Sequence, residues 1–219
     1  MVSAGAAGAA MLTWRDVVAA WYAETPRQPA GPFYQPFEPM SVDNDLLLRD
    51  GKNDPADGEI IYVAGRIRDQ TGKPIKGARV EIWQANAYGR YSHPRHENTN
   101  LKLDPNFLGF GHCLTGEDGA YRFRSIKPAP YPDSAAWVRP PHIHFAIFPP
   151  SGSEWTTQMY FAGEPLNEND FLRSALGSDE ARKRVTVAFR PATGAPDKDA
   201  HIGHFDIVLG MPGVTRDKA

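Results

Sequence analysis

Cysteine is nearly absent from this chain: Cys113 is the only one in 219 residues. A lone thiol excludes an internal disulfide framework and any metal site built from several thiolates, and it makes the reducing cytoplasm the expected location. Long apolar runs are missing as well. No stretch approaches the roughly 20 residues that span a bilayer, so no membrane is expected as a partner. There is no basic surplus either, since 24 Lys and Arg stand against 26 Asp and Glu for a formal charge of −2. That balance gives no electrostatic reason to expect nucleic acid. No basic residue precedes Arg15, so the Ala- and Gly-rich opening lacks the positive region of a secretory signal and reads as a disordered tail. A small-molecule partner fits what remains.

Turn-forming residues are plentiful, with 20 Gly and 20 Pro, and the apolar residues fall in short runs. This pattern favours many strands joined by turns over long helices. The expected fold is all-β, an antiparallel β-sandwich with long loops and a short N-terminal helix. Thr13 as cap, Asp16 in the first turn and the stripe Trp14, Val17, Val18, Trp21 mark that helix. Residues 25–39 carry a proline every few positions and should form an extended arm laid over the domain. Residues 60–68 and 78–83 read as two strands joined through the Asp69-Gln-Thr-Gly72 turn, an expected antiparallel pair. Further strands are expected at 120–126, 143–148, 157–161, 185–189 and 205–209.

In His142-Ile-His144 the histidines are two apart, and positions i and i+2 of a strand face the same way, so both imidazoles can reach one metal. Ile143, Phe145 and Ile147 would anchor the opposite face. His-x-His alone is equally compatible with two solvated histidines. The prolines at 128, 130, 132, 140 and 141 stiffen the chain leading into them and can hold Tyr131 nearby. A phenol titrates near ~10 in water, but a trivalent cation favours the phenolate, so tyrosine is a plausible anionic ligand for Fe(III). A single tyrosine is more often a packing residue.

Five segments in order are similar to the intradiol ring-cleavage dioxygenases, closest to the iron-bearing β subunits of the protocatechuate 3,4-dioxygenases. They are Val80-Glu-Ile-Trp-Gln-Ala-Asn-Ala-Tyr-Gly-Arg-Tyr91, Leu103-Asp-Pro-Asn-Phe107, Arg122-Phe-Arg-Ser-Ile-Lys-Pro128, Arg139-Pro-Pro-His-Ile-His-Phe145 and Gln158-Met-Tyr-Phe161. The resemblance spans roughly residues 25 to 210 and divides the chain into a tail with its helix, 1–24, and one catalytic domain, 25–219.

The resemblance implies a non-haem Fe(III) held by Tyr91, Tyr131, His142 and His144, with dioxygen as co-substrate and a catecholic small molecule as substrate. It makes Tyr91 the phenolate that leaves the metal when substrate binds and Tyr131 the one that stays. Arg139 matches the guanidinium beside the ring and Gln158 the amide that helps position it. It also implies an oligomer, of this chain alone or with an α-like subunit. Where close family members carry an aromatic residue after Tyr131-Pro132, this chain has Asp133, so the ring substituent is less firmly implied than the chemistry.

Two rival readings fit the residues less well. A His-x-His cupin should carry a glutamate three to five residues after the second histidine, but the first carboxylate there is Glu154. A non-catalytic transthyretin-like sandwich would explain the hairpin-like stretch 63–80 but not the two tyrosines and two histidines. His93 and His96 are expected to be solvated or rim residues, His201 and His204 to sit at a turn, and Cys113 to be a small buried side chain.

Overall fold

The computed structural model describes residues 22–35, 44–47, 55–96, 100–134 and 136–210. The expected N-terminal helix lies outside them. No helix among the described residues is long and apolar enough to cross a membrane.

Two five-stranded sheets face each other. The first is built around β1 (Ile60–Asp69), which pairs antiparallel with β4 (Ala120–Ile126) and parallel with both β11 (His201–His204) and β12 (Ile207–Leu209); β10 (Phe189–Pro191) extends it beyond β11. The second has the order β3 (Phe110–Leu114), β2 (Arg79–Trp83), β7 (His142–Phe148), β8 (Trp155–Phe161), β9 (Thr186–Val187). A small hairpin joins β5 (Tyr131–Ser134) to β6 (Trp137–Arg139). The sandwich is thus as expected, although the β1–β11, β1–β12 and β8–β9 pairs are parallel.

The expected pairing of the first two strands is not formed. Asp69 Oδ1 accepts from the backbone N–H groups of Thr71 and Lys73 and closes the turn. The hairpin then stops at Ile75, whose N–H donates to Ile67 O, because Gly77 (φ 68°) turns the chain to bond Thr115 O in the other sheet. The alternation of β2 drives this crossing. Val80 and Ile82 are fully buried and pack across the core against Ile61, Val63 and Ile67 of β1, which a flat hairpin could not achieve. His201 and His204 lie in β11 rather than at a turn, and the expected strand 185–189 is split between the two sheets as β9 and β10. Cys113 is buried, as expected.

The second sheet is covered on both faces, which is why β7 is buried over nearly its whole length. Ile143, Phe145 and Ile147 enter the main core with Phe123 and Met159. The opposite face meets a smaller cluster containing Trp83, Tyr91 and Tyr131, roofed by Phe33 and Tyr34. The described part of the Pro-rich arm lies along β8 and β12, as expected. Thr25 N–H donates to Val208 O, Gln28 N–H donates to Thr156 O, and the Thr157 hydroxyl donates to Pro26 O.

Candidate metal centre and active site

His142 and His144 project from β7 into the smaller cluster, and both are 2% exposed. Their Nε2 atoms lie 3.1 Å apart. Pro140 O can only accept, so His142 Nδ1, 2.7 Å away, carries the proton and Nε2 presents its lone pair to the centre. His144 is opposite Trp83 in the β2–β7 ladder, and the indole lies flat on its ring at 4.9 Å and 9°. That stacking sets the plane of the imidazole.

The two tyrosines arrive from loops held against the same sheet. Tyr91 follows the turn at Gly89, whose φ of 80° suits glycine and whose Cβ, if present, would sit 2.5 Å from Pro130 O. Asn86 Oδ1 accepts from the N–H groups of Tyr88 and Arg90 and ties that turn together. Tyr91 Oη is 3.4 Å from His142 Nε2, and the rings of Tyr91 and Tyr131 meet edge to face at 5.4 Å. The four side chains singled out from sequence as metal ligands therefore meet at one buried point.

Burial, the largest cause, pushes both phenols above their usual range and both imidazoles well below theirs, with the Arg139 charge lowering the histidines further. Burial thus favours the neutral form of all four groups when no metal ion is bound. Neutral imidazole is the form that binds metal, while the phenols need a strong positive charge to ionise. Among the described residues no group of three or more His, Cys, Asp and Glu could hold a metal, so any ion at this point must draw on the phenols. Hard oxygen donors joined to imidazole suit a hard ferric ion better than a soft thiophilic one.

Arg139 stands beside this centre, 3% exposed. Its Nε donates to Asp170 Oδ2 at 2.9 Å and its Nη2 to Gln158 Oε1 at 2.8 Å. Gln158 Nε2 donates in turn to Pro29 O, and Tyr160 Oη donates to Gln28 Oε1. The Gln158 amide is thus committed at both ends and orients the Arg139 guanidinium.

Sequence reasoning missed Asp170, which besides pairing with Arg139 caps the short helix Phe171–Ser174 by accepting from Arg173 N–H. It missed Phe33, stacked on Tyr91 at 4.5 Å; the Gly31-Pro-Phe33-Tyr34 punctuation of the arm was the available signal. His96 was misplaced. It is buried, and its Nδ1 accepts from Tyr91 N–H at 2.8 Å, because the loop folds back under Tyr91 instead of running into solvent. A cavity of about 410 Å³ opens beside the centre, lined by Phe33, Arg95, His96, Tyr131 and residues 132–134.

A β-sandwich that gathers two phenols and two imidazoles at one buried point, with a buried guanidinium alongside, defines a candidate non-haem metal-site protein. The family model described as Dioxygenase matches residues 30–211. The chain is similar to the protocatechuate 3,4-dioxygenase beta chain of Burkholderia cepacia, 42% identical over 189 residues that cover 84% of this chain and 78% of that one. It is also similar to a catechol 1,2-dioxygenase of Pseudomonas sp. (strain EST1001), 34% identical over 181 residues, covering 77% of this chain but only 57% of that protein. Among solved structures, the dioxygenase domain of a carbohydrate-binding fusion protein from Streptomyces sp. SirexAA-E matches with a TM-score of 0.63 at 28% identity, over 86% of this chain and 99% of that one. The chain belongs to the intradiol ring-cleavage dioxygenases.

Proposed function

We propose that this protein opens a catechol ring between its two hydroxylated carbons with dioxygen, converting protocatechuate to 3-carboxy-cis,cis-muconate. The observation that carries this reading is the convergence of Tyr91, Tyr131, His142 and His144 on one buried point. These four would hold a non-haem Fe(III), which when bound supplies the charge that ionises phenols and catechols and the redox partner for the ring and dioxygen.

The chain's own residues then divide the work. His142 and His144 stay neutral, kept so by burial. Tyr131, braced by the β5–β6 hairpin, is the phenolate that remains. Tyr91 would be the group that makes way for the substrate and takes up a catechol proton at its Oη. Arg139, held rigid by Asp170 and Gln158, presents a fixed cation to the negative charge that develops on the ring. The buried surroundings strengthen each of these interactions. The domain proposed to do this runs from residue 25 to the C-terminus, and assembly with further copies of itself or with an α-like chain belongs to the same reading, supported by the beta-chain relative.

Two measurements test it. Purified protein expressed with iron available should contain close to one iron per chain and show a broad visible band from phenolate-to-iron charge transfer. A colourless protein with stoichiometric zinc would refute the assignment of the centre. Protocatechuate consumed with oxygen should give the carboxymuconate; a yellow semialdehyde product would mean cleavage outside the diol and a different mechanism.

A further inference from the structure

The cavity beside the centre contains side chains that the ring-opening chemistry leaves unused. His96 is 7% exposed, and its ring stacks obliquely on Phe33 with centroids 4.8 Å apart and lies 6.0 Å from that of Tyr131. An amide N–H can only donate, so the Tyr91 N–H bond fixes His96 Nδ1 as the acceptor, and the neutral ring must carry its proton on Nε2. That Nε2–H has no hydrogen-bond partner among the described residues, and the ring lines the cavity. The ring that carries this donor lines the space next to Tyr131.

Two charged side chains line the same cavity. Arg95 and Asp133 are both exposed, and neither forms a salt bridge among the described residues. Arg95 follows the Tyr91 loop and belongs to the same wall as His96. Asp133 follows Tyr131 in β5, and its carboxylate is among the charges that push the Tyr91 and Tyr131 phenols up, so its field extends to the centre. One wall thus offers two donors, one of them cationic, while the other carries the Asp133 carboxylate beside the Ser134 hydroxyl.

The geometry points to His96 Nε2–H and Arg95 as the subsite that binds an anionic substituent on the catechol ring, with Asp133 opposing it from β5. This rests on the ring-cleavage reading and adds to it which residues choose the substituent. A carboxylate attached directly to the ring is short, and His96 is the donor deep enough to meet it. Arg95, at the mouth, adds charge to the same contact. Asp133 works in the reverse sense and sets how strongly a carboxylated ring is preferred over an unsubstituted one.

The test is the ratio of kcat/KM for protocatechuate to that for catechol, measured on the iron-loaded protein, together with anaerobic dissociation constants for both from the change in visible absorption. Arg95→Gln should lower the ratio about tenfold, mainly through KM. Asp133→Asn should raise it roughly threefold or more, since a repulsive charge is lost and the shape is kept. His96→Phe should lower it too. Because His96 also holds the Tyr91 backbone, the two exposed positions decide the matter. Opposite shifts at 95 and 133, present in the dissociation constants as well as in turnover, are the signature that a merely structural role would not produce. If both variants leave the ratio within about twofold of the parent, the subsite is elsewhere, while the ring-cleavage reading stands. If the iron-loaded parent opens neither ring, the underlying reading fails first.

Discussion

Tyr131→Phe is expected to purify with little iron and a weak visible band, whereas Tyr91→Phe is expected to keep most of its iron and lose most of its turnover. The two phenols meet at the same centre, but they are held differently. Tyr131 lies in the β5–β6 hairpin, backed by Pro132 and opposite Arg139 in the ladder, so its ring has little freedom to withdraw. Tyr91 sits at the end of a loop, and the proposed chemistry asks it to move. Removing the permanent phenolate should weaken metal retention by at least roughly 10–100-fold, the range seen even when supporting groups around a metal are lost. Removing the phenolate that accepts a substrate proton should cost about 10²–10⁴-fold in turnover, the usual contribution of a positioned base. Iron content, visible absorption and anaerobic catechol binding of the two variants, measured side by side, decide between these roles. Equal iron loss in both, or no loss of turnover in Tyr91→Phe, would dismiss the division of labour.

Asp170→Ala should be among the most destabilising single changes available outside the apolar core. The Arg139 and Asp170 side chains are 4% and 0% exposed, and their pairing is reinforced by Gln158 and Tyr160. Removing one partner of a buried ion pair leaves an uncompensated charge and typically costs about 3–5 kcal/mol. Loss of the cap to Arg173 N–H adds about 1 kcal/mol. In a domain of this size each kcal/mol lowers the melting temperature by roughly 2–4 °C, so a fall on the order of 10 °C is expected. The double variant Arg139→Met, Asp170→Leu should regain much of that stability, because no charge is then stranded, and should remain inactive if the guanidinium is needed at the ring. A melting temperature for Asp170→Ala within about 2 °C of the parent would show that the pair contributes little.

The parts of the site that sequence reading reached share one property: their geometry is local. His142 and His144 follow from the period of a strand, and the face they occupy follows from Ile143, Phe145 and Ile147 on the other side. Tyr91 was reachable only through the resemblance, and Tyr131, suggested by the proline-stiffened chain, was given its role only there, because no periodicity relates either tyrosine to β7. His96 and Asp170 escaped for the opposite reason. Each has an adequate local explanation, a polar loop in one case and a helix cap in the other, and nothing in the neighbouring residues shows that a distant backbone or guanidinium will claim the side chain. The hairpin expected between β1 and β2 failed on a similar point. The turn chemistry at Asp69–Gly72 is correct, but which sheet a strand joins is settled by the partners that arrive later in the chain.

What the sequence by itself determined is the class of fold, the strands with clear alternation, the two histidines on one face, and the exclusion of an internal disulfide framework or a multi-thiolate metal site, because each depends on residue type and short-range spacing. What only the tertiary structure decided is which sheet each strand joins, how four ligand candidates from three separate segments come within reach of one point, and how Arg139 is held by Asp170 and Gln158. Those depend on long-range packing: a buried, rigid centre exists only after the arm, the loop carrying Tyr91 and the β5–β6 hairpin have closed over the second sheet, and no single segment encodes the distance between them.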